Sequence, residues 1–274
     1  MPIFRIKKIL VAVSFALTSM HVCAGTLADV QNVGVMSFCL NPDAMPYSQR
    51  DSTEDQPGNG FLYDISLELI KSMGVSARVV WLNSLERLNK TDCDLVPSAL
   101  VEKKELDEQA SKILKNPENK FGRLFTSPYS QATGFLISRD PSYQTLEALS
   151  NTHIAVPSGS YAQVILNKMK IPVWVRFLTD EDIVNAVKDG DAGAGLVTKT
   201  GFEWYVQVFG DPGLHQLNID IAAFEVRSDI GMVLRNSDAS MLALVNEKLS
   251  LLKNQGFISK AMKKYGIEHL PPDF

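Results

Sequence analysis

Leu124–Asp140 reads LFTSPYSQATGFLISRD, close to the middle of a 274-residue chain. It holds a turn signal, Ser127-Pro128, then a β-prone run, Thr133 to Ser138, closed by Arg139-Asp140-Pro141. Proline fixes φ and restricts the residue before it, so each X-Pro pair marks a place where a regular element stops. On either side lies the same module: an apolar strand, a turn, an amphipathic helix. The stretch therefore carries the chain out of one α/β lobe into a second, and Ile230–Leu234 (IGMVL) is the matching way back. Two lobes joined by two strands enclose a cleft, the usual seat of a small ligand.

The composition is that of a globular protein, 45% hydrophobic and 21% charged. A net charge of −4 excludes nucleic acid and an anionic membrane as the natural partner. Residues 1–24 read as an export signal: Arg5, Lys7 and Lys8, an apolar run from Ile9 to Leu17, then Val22-Cys23-Ala24, with cleavage after Ala24. The run is shorter than the roughly 20 residues of a membrane span. A lipoprotein signal at Cys23 is the rival reading, against which stand the bulky residues Met20-His21-Val22. Without the leader, Cys39 and Cys93 are the cysteines that remain. An oxidising compartment permits a disulfide between them, provided their Cα atoms come within about 7 Å; two buried thiols are the alternative.

In chain order, Val33–Cys39 reads as a buried strand, followed by Asn41–Ser48, a loop carrying Tyr47, and a polar excursion over Arg50–Asn59. Leu62, Ile65, Leu69 and Ile70 share one helix face. Strands are expected at Ala77–Trp81 and Asp94–Val96, with a short helix near Leu85 between them; Glu102–Asn119 is charged and loosely helical. The second lobe repeats the plan, with strands at His153–Val156, Val173–Phe177 and Ala194–Val197 and a helix capped by Thr179. Ala239–Asn254 and Phe257–Tyr265 are the closing helices. Strand-helix-strand order with short links predicts parallel pairing with right-handed crossovers.

Ligands of open α/β sheets bind beyond the carboxyl ends of the strands. That rule selects Asn41–Ser48, Leu82-Asn83, Pro97–Leu100, Pro157–Tyr161 and Thr198–Thr200. Ser158-Gly159-Ser160 opens a helix, where free N–H groups attract an anion such as a carboxylate; a plain helix cap is the bland reading. Trp81 and Trp174 read as core residues, as does His153. The histidines are scattered, and no Cys-x-x-Cys, HExxH, G-x-S-x-G or phosphate-binding glycine loop occurs, which favours binding over catalysis and calls for no metal or cofactor. Acidic pairs such as Glu54-Asp55 and Glu181-Asp182 read as solvated faces.

The segments VGVMSFCLNPDAMPYS, GFLYDISLELIKSMGV, CDLVPSAL, LFTSPYSQATGFLISRD, THIAVPSGSYAQVIL, AVKDGDAGAGLV and LLKNQGFISKAMKKYGI, in this order, resemble the family 3 extracellular solute-binding proteins, the periplasmic receptors of ABC importers. The resemblance implies a two-lobed periplasmic-binding-protein-like fold of type II, α/β throughout, with a first lobe over 27–132 and 234–274 and a second over 138–228. It implies a soluble periplasmic monomer. Family members that take amino acids usually have an arginine shortly after the third strand and an aspartate in the second lobe; here stand Lys103 and Lys104, and Thr198. Loss of those charge-assisted bonds argues against an ordinary amino-acid receptor. Cys39-x-x-Pro42 with Pro46-Tyr47-Ser48, Trp81 and Cys93-Asp94 is similar to the branch associated with periplasmic quinoprotein (methanol-type) dehydrogenases.

The expected function is reversible, non-catalytic capture of a small polar or anionic solute, lined by Tyr47, Ser98, Ser158, Gly159, Ser160 and Thr198, with an importer as partner. The alternative is an accessory protein whose cleft engages a dehydrogenase. A hydrolase or dehydratase on the same scaffold needs an inward carboxylate of raised pKa, and Glu86 and Glu102 are its candidates.

Overall fold

The computed structural model describes residues 25–51, 58–82, 91–157, 161–219 and 227–274. The leader over 1–24, Ser158–Ser160, Glu86 and the helix expected near Leu85 lie outside the described residues. The first described element is α1 (Leu27–Val33), a helix the sequence reading does not contain, only its last residue, Val33, having been read as strand. Thr26 and Asp29 form reciprocal capping bonds, and Gly34 at φ 71° ends the helix, so β1 (Val35–Leu40) starts two residues later than expected. β2 (Asp43–Ala44), β3 (Ser48–Arg50) and β4 (Gly58–Asn59) form a small antiparallel sheet beside it. Then come α2 (Phe61–Ser72), β5 (Ser76–Trp81), β6 (Leu95–Leu100), α3 (Lys103–Lys115), β7 (Phe121–Phe125) and β8 (Ser130–Ser138).

The second half holds β9 (Ile154–Pro157), α4 (Tyr161–Lys168), β10 (Val173–Phe177), α5 (Asp180–Asp189), β11 (Ala194–Thr198), α6 (Lys199–Phe209) and β12 (His215–Gln216). β13 (Arg227–Ser237) returns, and α7 (Ala239–Asn254) and α8 (Phe257–Lys263) pack again on the first half. Met241, Val245, Leu249, Ile258 and Met262 share a core with Ile65, Leu69, Met36 and Phe38. Each such fully buried side chain stabilises the fold by about 1.5–3 kcal/mol. Two further clusters, around Leu149, Ile154 and Leu166 and around Ile137, Ile183 and Val187, fill the second half on opposite sides of its strands.

β5, β1 and β6 pair in parallel, and so do β10, β9 and β11. The crossing strands are antiparallel to their neighbours, so the two parallel blocks merge into one sheet of order β10-β9-β11-β8-β13-β6-β1-β5. β8 and β13 pair with each other at the crossing, Ser130 to Thr133 against Ile230 to Arg227. The C-terminal tail lies along this pair: Gln131 N–H donates to the Leu270 carbonyl at 3.0 Å, and Asp273 N–H to Asp229 Oδ1 at 3.0 Å. Arg227 holds the Asp273 carboxylate at 2.8 Å.

Two expectations are corrected. Pro97 and Ser98 lie inside β6, not in a loop after it. A register shift between Gly231 and Val233 of the partner strand β13 falls at this position, and an irregularity of this kind accommodates the missing proline N–H. His153 is exposed beside the Trp174 ring, 6.0 Å away, whereas Trp81 and Trp174, half-buried, do pack against the cores of their halves. The apolar side of β9 therefore begins at Ile154, one residue later than the sequence pattern implies. Cys39 and Cys93 are joined by a disulfide, with Cα atoms 5.7 Å apart. The segment before β6 lies against β1, where Ser37 Oγ donates to the Asp92 carbonyl at 2.8 Å and Cys39 Sγ is 3.8 Å from Thr91 Oγ1, and so Cys93 comes within reach of Cys39.

Candidate functional site

The carboxyl end of β1 runs through Asn41 and a cis Met45-Pro46 bond to Tyr47. The Tyr47 carbonyl accepts from Leu62 N–H at 3.0 Å and the Pro46 carbonyl from Phe61 N–H at 3.0 Å, which ties the loop to the start of α2. Gly60, at φ 111°, lies so close to the Tyr47 carbonyl and Ser48 Cα that a side chain there would collide with backbone. The Tyr47 ring packs 5.3 Å from Phe61, and its hydroxyl points across to the second half.

There it meets Thr198 Oγ1 at 2.9 Å. Thr198 ends β11 and caps α6, accepting from Gly201 N–H at 2.9 Å. Its one hydroxyl proton goes to Asp180 Oδ2 at 2.5 Å, while Thr198 N–H donates to Asp180 Oδ1 at 3.0 Å. Tyr47 is thus the donor to Thr198, and the three residues form a chain of bonds from one half to the other. Gly201 leaves room for the Asp180 carboxylate, which a β-carbon would strike. Burial pushes the Asp180 pKa up, against the hydrogen bonds from Thr198 that pull it down. The Tyr47 phenol is likewise pushed up, chiefly by burial and then by the charge of Asp180, against bonds to Thr198 and Thr200.

Asp180 is the residue that sequence reasoning missed. It follows the capping Thr179 in an acidic run, Asp180-Glu181-Asp182, and only the last two of these were weighed, as a solvated face. The signal was available: it lies at the carboxyl end of a strand, β10, where ligand sites gather. Asp182 in fact closes the reciprocal cap with Thr179.

Ser98 is exposed on β6, beside Pro97, whose carbonyl accepts the hydroxyl of the fully buried Tyr129 at 2.7 Å. The structure brings Tyr47 and Thr198 into contact; Ser98 lies apart from them on β6, and Ser158, Gly159 and Ser160 lie outside the described residues. Glu102 is exposed at the start of α3 and makes no capping bond. A separate concavity of about 360 Å³ lies between α3 and the crossing strand, lined by Glu102, Lys103, Lys104, Arg227, Asp229 and Asp273 among others. Among the described residues, no group of three or more His, Cys, Asp or Glu side chains could hold a metal ion, and no helix is long and apolar enough to cross a membrane.

A further contact between the halves runs along the tail. Lys199 pairs with Glu203 at 2.9 Å and with Glu268, and Glu268 N–H donates to Glu203 Oε2 at 3.2 Å.

No known protein family and no curated protein matches the chain by sequence. Solved structures do match in shape. A mutant of ArgBP from T. maritima is similar with a TM-score of 0.64 and 21% identity, over 87% of this chain and 97% of that one. The ancestral amino acid-binding protein AncCDT-1, a precursor of cyclohexadienyl dehydratase, is similar at 0.66 and 18%, over 88% and 99%. A solute receptor for L-cysteine of Neisseria gonorrhoeae is similar at 0.63 and 17%, over 88% and 93%. At such identities the likeness concerns architecture, and the chain has the two-lobed α/β fold of periplasmic binding proteins.

Proposed function

We propose that this chain is a non-catalytic solute-binding protein that captures a small polar or anionic solute reversibly between its lobes. It is exported by the signal over 1–24 to the periplasm and divided into lobes at 27–132 with 234–274 and at 138–228. The observation that carries the reading is the Tyr47–Thr198 bond at 2.9 Å, made between loop and strand ends where such sheets bind ligands. The names of the similar structures, among them an arginine-bound substrate-binding protein from Streptococcus pneumoniae, fit a soluble receptor that serves an importer. Asp180 has both oxygens committed to Thr198, an arrangement suited to holding that residue rather than to shuttling protons. Where the family resemblance leads to an expected arginine and aspartate, the chain has only the nearby Lys103 and Lys104, and Thr198 or its neighbours, which favours a polar solute other than an ordinary amino acid. Ser98, with Ser158, Gly159 and Ser160, completes the proposed lining.

The test is a thermal-shift screen against amino acids, organic acids and small alcohol oxidation products. A ligand at 100 times its Kd adds about 2.7 kcal/mol, roughly 5–10 °C for a protein of this size. Tyr47→Phe and Thr198→Val should each shrink the shift.

A second reading, an accessory protein for a periplasmic quinoprotein dehydrogenase, is favoured by the outer end of α6, where Val208 and Phe209 are 53% and 55% exposed. A midpoint raised by purified dehydrogenase and by no solute selects it. If neither raises the midpoint, both readings fail.

A further inference from the structure

The first described residue, Gly25, is buried, and its N–H donates to Asp94 Oδ1 at 3.1 Å. Asp94 is 2% exposed. Its other oxygen, Oδ2, accepts from Ser37 N–H at 2.7 Å and Ser37 Oγ at 2.6 Å. Every one of these donors is neutral. The charged groups that face the carboxylate, Arg78 on β5 and Arg235 on β13, act on it only through space, since the Arg235 guanidinium is spent on the Thr91 and Cys93 carbonyls. Among the described residues Asp94 has no ion-pair partner, a costly state for a buried carboxylate, and burial does push its pKa up.

The sequence supplies the missing charge. Residues 1–24 read as an export leader with its cleavage point after Ala24. A signal peptidase breaks the Ala24–Gly25 peptide bond with one water, whose oxygen ends on the Ala24 carboxylate. The freed Gly25 nitrogen takes up protons to become an α-ammonium at neutral pH. We propose that processing before Gly25 creates an ammonium group that forms a buried ion pair with Asp94, so that maturation itself completes the first lobe.

The surroundings fit that role. A side chain at residue 25 would collide with Asp29, so glycine suits the entry. The reciprocal Thr26–Asp29 cap then turns the chain at once into α1, and Leu27 N–H reaches the Asp238 carboxylate at 3.4 Å. Asp94, just before β6, in turn ties β1 to β13: its N–H donates to the Ser37 carbonyl of β1, and its own carbonyl accepts Arg235 N–H of β13. It follows Cys93 of the disulfide directly, so pair and bridge hold the same corner.

The experiment exports the full chain with its own leader in a Gram-negative host and takes the intact mass of the product. It then compares the free-amine form, its α-acetylated form and a form with one alanine before Gly25, each with and without Asp94→Asn. We expect a mass beginning at Gly25, a midpoint lowered by several degrees in the acetylated and extended forms, and no such lowering in the Asp94→Asn background. The α-amine should titrate at least one pH unit above its usual range near 8, a tenfold preference for the charged form. Near that amine lie Asp94, the Asp29–Lys120 pair and Asp238, and the Asp94→Asn background isolates the first of these. A product starting at another residue, such as a lipid-bearing Cys23, overturns the proposal. So do equal midpoints for the three forms, a comparison that needs no substitution at Asp94 and stands even where that variant fails to fold.

Discussion

Tyr47 and Thr198 are 151 residues apart in sequence and share a hydrogen bond of 2.9 Å that joins the two halves of the molecule. It is made by a phenol held from below by Phe61 and a threonine held from behind by Asp180, so neither end is free to drift. Tyr47→Phe removes the donor and leaves Thr198 Oγ1 with Gly201 N–H as its donor. The expected loss is about 1 kcal/mol of stability, and small-angle scattering should show a larger radius of gyration as the lobes part. An unchanged radius would mean that the tail contacts alone hold the closed form.

Asp180 predicts a pH dependence of definite sign. Its pKa in the folded protein is raised above the ordinary value of 3.8, so the native state holds its proton at pH values where the unfolded chain has lost it. Its contribution to stability is therefore greatest below about pH 4 and declines as pH rises through the raised value. Asp180→Asn should flatten that decline in a series of denaturant midpoints. A series equally steep in both proteins would assign the dependence to other groups.

The Cys39–Cys93 bridge closes a loop spanning 54 residues. Loop closure of that size constrains the unfolded chain by about 4 kcal/mol. Reduction, or the double substitution Cys39→Ser with Cys93→Ser, should lower the melting midpoint by roughly 8–16 °C, as read by calorimetry with and without reductant. A drop of only a degree or two would show that the packing of Leu82, Val80 and Val96 around the sulfurs suffices.

Tyr129→Phe strips the Pro97 carbonyl of its buried donor. An acceptor stranded in this way costs about 1–3 kcal/mol. Because Pro97 precedes Ser98, the same change should weaken solute binding, and titration calorimetry on the stable fraction separates the two effects.

The doubled strand-helix-strand plan and the outward and return crossings were legible because strongly apolar runs alternate with helix faces such as Leu62, Ile65 and Leu69, bounded by proline and glycine. Less legible were short elements. α1 went unread because its signal is a cap, Thr26 with Asp29, rather than a long periodic face. β7 was missed because its exposed Gly122 and Arg123 break the alternation of a buried strand. The chain of bonds between the halves was half readable: Tyr47 and Thr198 stand out as polar residues at strand ends, whereas Asp180 looks like one more acid at a helix start. Its neighbours Thr198 and Gly201, the first a donor to both its oxygens, are brought to it only by the fold.

The crossing of β8 and β13 is a two-stranded antiparallel ribbon, tied along its length from Ser130 to Thr133 and braced by the tail at Leu270 and Asp273. A ribbon of this kind flexes readily out of its own plane but resists sliding of one strand past the other, because sliding would break every rung at once. Rotation of one half about this ribbon is thereby favoured over translation, like the cover of a book turning on a cloth spine. A pair of distance labels, one on each half, would then follow the whole movement.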